Sequence, residues 1–273
     1  MRRVRLEYPD DLALEWNAAQ PECAIAANAV SLLMPVIEPF VVRTASRAAE
    51  QLGPADADVV RAFCAQETSH QVQHRRLNDR LVAQAPGLVR VESFAARWTR
   101  WTAGRSPRFA LATASGFETI AYSVARWAEA HARRLFDGAD ETAATLFMWH
   151  LAEEVEHKAV VFDLLEPNAV GRVRRLLGAL NALLFLVVCT WLGTVAMLAA
   201  GGRLLSPRSW LRLVGLGTTL AFDVLTDLAA SLMPRHHPDQ MSDPILLTTW
   251  LRHVDPATGT VPVWSPTGRT TSR

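Results

Sequence analysis

Cysteine is scarce: Cys23, Cys64 and Cys189 are the only three, and no pair has C-x-x-C spacing. That excludes a disulfide scaffold or a zinc-finger framework and fits a reducing compartment. An excess of either charge is also missing. With 28 basic against 27 acidic side chains the net charge is +1, which excludes the basic footprint of a nucleic-acid binder. Glycine (14) and proline (15) are too few and too scattered for a collagen-like or low-complexity chain. Strand-type alternation rarely persists beyond a few residues. The first residues, MRRVRLEYPDDLALEW, meet Asp10 and Asp11 before any apolar run, so they do not read as a signal peptide. A cytoplasmic protein, at most attached to the inner face of the membrane, is the expectation.

What is present is helical. Ala, Leu, Arg and Glu dominate, and the spacing predicts helices over roughly 22–51, 56–84, 90–102, 107–136, 139–165, 172–201 and 208–232, separated by Gly and Pro punctuation. The fold class expected is all-α, a four-helix bundle with additional hydrophobic C-terminal helices. The chain divides into an N-terminal extension (1–20), a metal-binding bundle (21–170), apolar helices (171–235) and an irregular tail (236–273). From Leu176 to Gly202 there are 27 residues without Asp, Glu, Lys, Arg or His, flanked by Arg172, Arg174 and Arg175 on one side and Arg203 and Arg208 on the other. That run is long enough to cross a bilayer. Burial on all sides, or in a homodimer interface, is the alternative.

Four of the predicted helices carry acids in apolar register. In FCAQETSHQVQHRRLND, Glu67, His70, His74 and Asn78 fall within about 80° on one helical face, in line with Val60, Phe63 and Leu81. In MWHLAEEVEHKAVVFDLLE, His150, Glu154 and His157 fall within about 60°, in line with Leu146 and Val161. Glu118 aligns with Leu111, Ala114, Tyr122 and Ala125, and Glu38 with Ser31, Met34, Val42 and Ala45. An unpaired carboxylate on a core-facing stripe costs several kcal/mol, of order ~2–7, unless something compensates. The order Glu, Glu-x-x-His, Glu, Glu-x-x-His on successive helices is what a four-helix bundle needs to hold two metal ions. The candidate ligands are Glu38, Glu67, His70, Glu118, His150, Glu154 and His157. Four carboxylates balance two divalent ions. Imidazole and carboxylate favour iron, with manganese as the alternative and zinc disfavoured for want of a thiolate. His74 and Asn78 fit hydrogen-bonding support of the ligands, Glu153 is an alternative ligand, and Tyr122 is a candidate wall of the pocket. Pro35 and Pro39 interrupt helical hydrogen bonding around Glu38. No catalytic side chain stands out beyond the metal ligands.

On the segments MPVIEPF, AFCAQETSHQVQHRRLN, TASGFETIAY and WHLAEEVEHKAVVFDLLE, the chain resembles the bacterial family of predicted metal-dependent hydrolases over roughly residues 20–235. That resemblance implies a ferritin-like fold. The ligand spacing is also similar to that of the di-iron arylamine N-oxygenases, in which a histidine stands four residues before the last Glu-x-x-His, as His150 does here.

The main expectation is an O2-activating di-iron or di-manganese carboxylate enzyme acting on a small organic substrate with the help of an electron donor. The first alternative is a hydrolase using a two-metal-activated water. The second is a non-enzymatic metal-binding or membrane-associated helical protein that touches the membrane through 176–202.

Overall fold

The computed structural model describes residues 2, 4–50, 52–255 and 257–264. In chain order its helices are α1 (Pro21–Ser31), α2 (Met34–Ala49), α3 (Pro54–Gln84), α4 (Leu88–Ala103), α5 (Pro107–Ala130), α6 (Ala132–Phe136), α7 (Glu141–His157), α8 (Val160–Asp163), α9 (Arg172–Ala200), α10 (Pro207–Ser231) and α11 (Ile245–Leu251). Among the described residues there is no strand, only an isolated bridge between Asn17 and Ala139, so the protein is all-α. Local chemistry sets the helix starts. Proline occupies the first turn of α1, α3, α5 and α10, where its missing N–H costs nothing. Ser106, Asp140 and Ser206 cap α5, α7 and α10 by accepting from Phe109, Ala143 and Ser209 N–H.

Three predicted helices are divided. The 22–51 segment breaks at Leu32 and Leu33, because Pro35 has no N–H to give the Ser31 carbonyl and so cannot continue α1. The 107–136 segment breaks at His131, whose Nδ1 lies 2.8 Å from the Trp127 carbonyl and competes for it. The 139–165 segment breaks after His157, and nothing in the neighbouring sequence explains that position.

Helices α2, α3, α7 and α5 close a ring in which α2 packs on α3 and α5, and α7 packs on the same two. The candidate ligands project into its centre. Helices α9 and α10 cover the outer side of α5, and α1 packs against α9 and α10. Ala112 and Gly116 of α5 meet α9 at Gly178, Ala179 and Ala182, while Ser123 and Trp127 hydrogen-bond Asp227 and Thr219 of α10. These four α5 residues lie within about 60° of one another, so α9 and α10 occupy one layer, and Glu118 points about 150° away from it.

Segments toward both ends of the described chain join the core, which for the C-terminal one differs from the irregular tail expected. Val4, Leu12 and Trp16 of the N-terminal extension are buried, and Trp16 stacks on Phe147 at 5.5 Å. The expected irregular tail contains α11. It buries Leu247, Trp250 and Leu251 in the core beside α7, and Trp250 meets Trp264 edge-on at 5.3 Å. A seven-residue helix is too short to show a periodicity, and tertiary packing decides its conformation. Positions 265–273 of that tail lie outside the described residues.

The tightest helix contact is testable. A Cβ on Gly178 would stand 2.4 Å from the Ala112 carbonyl carbon, so Gly178→Val should destabilise the fold by about 2 kcal/mol or more. Gly171→Ala, at a position with nothing within 4 Å, should stay within about 0.5 kcal/mol. Chemical denaturation measures both.

Candidate metal centre

The four ring helices each present ionisable groups inward. Glu38 on α2, Glu67, His70 and His74 on α3, Glu118 on α5, and His150, Glu154 and His157 on α7 are all buried. One ligand atom from each of Glu67, His70, Glu154 and His157 lies within 4.8 Å of the others, and the same holds for Glu38, His74 and His150. Glu118 stands outside both groups but is near enough to feel the charges of Glu154 and Glu67. Phe63 packs edge-on against His157 at 4.7 Å and Trp149 against His70 at 4.8 Å, which walls the cluster with aromatic surface.

The hydrogen bonds around the three inner histidines all run outward. His70 Nε2 donates to Glu153 Oε2 at 2.9 Å. His157 Nε2 donates to Gln66 Oε1 at 3.2 Å, and Gln66 donates in turn to Glu156. His150 is set by a longer chain. Because Pro35 leaves the Ser31 carbonyl free, Asn78 Nδ2 donates to it at 2.9 Å, and this orients Asn78 Oδ1 to accept from Ser31 Oγ at 2.8 Å. Ser31 Oγ then accepts from His74 Nδ1 at 2.8 Å, so His74 Nε2 is the acceptor for His150 Nδ1–H at 2.6 Å. In each case the remaining nitrogen faces carboxylate oxygens. His150 Nε2 is 3.0 Å from Glu154 Oε1 and His70 Nδ1 is 3.6 Å from it. His157 Nδ1 is 2.9 Å from Glu67 Oε1 but out of line for a hydrogen bond. Outward hydrogen bonds of this kind fix the tautomer of metal-ligating histidines.

Lone pairs facing carboxylates repel unless a positive charge lies between them. Both oxygens of Glu38, Glu67 Oε1, Glu118 Oε2, His70 Nδ1 and His157 Nδ1 are buried without a hydrogen-bond partner among the described residues. That set of unpaired oxygen and nitrogen donors fits divalent cations. Protons show the same demand. Burial first, then Glu67, Glu154 and Glu118, push the Glu38 carboxyl well above the usual carboxylate range, and burial first, then Glu154 and Glu67, do so for Glu118. Burial works against a charged His157, yet Glu154 and Glu67 override it and raise that imidazole well above its ordinary value. Burial likewise opposes ionisation of Glu154, and His157 and His150 override it and hold the carboxyl low. His74 and His150 are lowered, by burial and then by neighbouring imidazoles, which keeps the hydrogen-bond chain neutral.

Of the residues singled out in the sequence, His74 has both ring nitrogens engaged in that chain, and Asn78 anchors its far end. Glu153, an alternative ligand by sequence, sits behind His70. Burial opposes its ionisation, but the His70 hydrogen bond and then Arg2 bring it down to about 2. The Tyr122 hydroxyl, expected at a pocket wall, instead donates to the Ser242 carbonyl (3.0 Å) and Asp243 (3.1 Å). Ser31, Gln66 and Arg2 were not singled out. Gln66 adjoins Glu67, and that adjacency was the one signal for it, whereas Arg2 reaches Glu153 and Glu156 across a separation of more than 150 residues.

The ring of helices and its buried carboxylate–imidazole cluster define an all-α protein with two groups of side chains able to hold metal ions. The family model described as "Predicted metal-dependent hydrolase" matches residues 1–242, and the chain belongs to that family. No curated protein and no solved structure matches it.

Because Glu38, Glu118 and His157 are all raised, cations must displace protons to enter. Metal affinity should therefore fall as pH drops from about 8 to 6, roughly tenfold per unit for each proton displaced. Calorimetric titration with Mn2+ in two buffers of different ionisation heat should show net proton release. Affinity independent of pH would contradict the assignment.

Proposed function

We propose that the protein is a two-metal hydrolase acting on a small ester, amide or phosphate, with Glu38, Glu67, His70, Glu118, His150, Glu154 and His157 as the ligands. The observation that carries this reading is the arrangement of three imidazoles tied outward, each with its inner nitrogen turned onto carboxylate oxygens. These residues would hold two divalent cations, whose chemistry there would be a water of lowered pKa as nucleophile and polarisation of the scissile oxygen. The side chains supply the rest. Four carboxylates neutralise the paired charge in a low-dielectric interior. Glu153, Gln66 and His74 hold His70, His157 and His150 in one tautomer each, so little reorganisation is needed when the ligands engage. Phe63 and Trp149 keep bulk water off the inner faces of the rings.

The donor chemistry favours iron or manganese over zinc. The family assignment lends no support to the O2-activating expectation, and the hydrolytic alternative takes its place. Hydrolysis also removes the need for an electron donor.

Chelation and reloading tests this directly. Protein stripped of metal and reloaded with Mn2+, Zn2+ or anaerobic Fe2+ is assayed on p-nitrophenyl acetate and p-nitrophenyl phosphate. Turnover of at least one ester should return with about two equivalents of metal, and Glu154→Ala should lower it about 100-fold while halving or abolishing metal retention. Oxygen consumption on Fe2+ loading, with no ester cleavage under any metal, would replace this reading by the oxidative one.

A further inference from the structure

The side of α9 and α10 that faces away from α5 is apolar and uncovered. On α9 the buried positions Gly178, Ala182, Phe185, Cys189, Gly193 and Met197 share one face. Leu176, Leu177, Leu180, Leu184, Val187 and Trp191 fall about 120–220° away from it and are all exposed. On α10 the outward residues Leu211, Val214, Phe222 and Leu225 lie within about 80° of one another, with Phe222 73% exposed. Leu205, in the turn between the two helices, is 91% exposed. The α9 residues line the outward side of a helix of about 43 Å, and α10, joined to it by the short turn at 201–206, adds its own outward apolar residues. Contiguous exposed apolar surface on that scale marks an interaction site.

Charge identifies the occupant. From Arg172 through Phe222 the chain has no acidic residue and six arginines, with Arg172, Arg174 and Arg175 at one end of α9 and Arg203, Arg208 and Arg212 beyond the other. A second copy docked two-fold along α9 would set a basic end against a basic end in either direction, and like charges across an interface are strongly unfavourable. Anionic headgroups complement both ends. Beside the apolar face, a cleft of 420 Å3 is lined by Glu22, Cys23, Arg134, Arg208, Leu211 and Arg212 among others. Glu22 is already engaged by Arg203 and Arg212, whereas Arg134 and Arg208 have no ion-pair partner among the described residues.

We propose that the outer face of α9 and α10 lies flat on an anionic lipid bilayer, its leucines, valines and Trp191 among the acyl chains and Arg134 and Arg208 at lipid phosphates. A flat arrangement follows from the neighbours. Helix α4 packs beside α9 and exposes Arg90, Arg97 and Arg100, and α3 exposes Asp58, Arg61, Arg75 and Asp79. A spanning position would carry those charges into hydrocarbon. Amphipathic helices with arginines flanking a leucine- and tryptophan-rich face bind in the interface plane instead.

Co-flotation of the full chain with vesicles tests this. The protein should float with vesicles of phosphatidylcholine and phosphatidylglycerol in roughly equal parts, and bind pure phosphatidylcholine vesicles about tenfold more weakly. The double variant Leu184→Glu, Phe222→Glu changes two exposed positions and should lose binding to both vesicles with its circular dichroism unchanged. The second variant, Arg134→Glu with Arg208→Glu, should lose only the preference for the anionic vesicles. A monomer that floats with neither vesicle would overturn the proposal. So would binding that survives both double variants, or a stable dimer that ignores vesicles and is broken by the Leu184 and Phe222 changes.

Discussion

Imidazole nitrogens held a few ångströms from buried carboxylate oxygens are the constraint around which this structure is organised. Left alone, that juxtaposition is repulsive, and an apolar interior makes the repulsion worse. The protein nevertheless enforces it three times, at His70, His150 and His157, by giving each ring an acceptor on its outer nitrogen. The acceptors differ in kind: a carboxylate, another imidazole and an amide. Protons on Glu38, Glu118 and His157 can relieve part of this repulsion, and divalent cations, which accept several such donors at one point, fit the arrangement as a whole. Buried ion networks assembled only for stability are rarely better than apolar packing of the same volume.

Helix α5 links the two halves of the molecule. Its inner side presents Glu118 to the cluster, and its outer side carries Ala112 and Gly116, small enough for α9 to approach to backbone contact. Dense packing there backs the ligand helix with a rigid second layer. The same layer turns an uncovered apolar face outward, so the centre and the proposed lipid contact lie on opposite sides of one helix.

Much of this was visible in the sequence because burial imposes periodicity. Glu67 and His70 interrupt the stripe of Val60, Phe63 and Leu81, and His150, Glu154 and His157 interrupt that of Leu146 and Val161, so the ligand helices and their inward faces could be placed by counting. The supporting shell could not. Glu153 was seen only as a competing ligand, since spacing cannot distinguish a carboxylate in front of a ring from one behind it. Ser31 shows only as a member of the Glu38 stripe, and its hydrogen-bonding role arises because Pro35, four residues on, leaves its carbonyl free for Asn78. Arg2 and α11 are brought in by tertiary contacts across most of the chain, which no local pattern encodes. The apolar run after Leu176 announced an uncharged helix. Which half of it would be covered depended on how α5 was oriented.

The account rests on cations occupying the space between Glu67, Glu154 and the inner nitrogens of His70, His150 and His157. Crystals of the protein grown with Mn2+ and measured at the metal's absorption edge address that claim without reference to any activity. Two anomalous peaks within bonding distance of those nitrogens and carboxylates are predicted. An anomalous map with no peak inside the helix ring, from crystals in which the three imidazoles keep their outward hydrogen bonds, would contradict it.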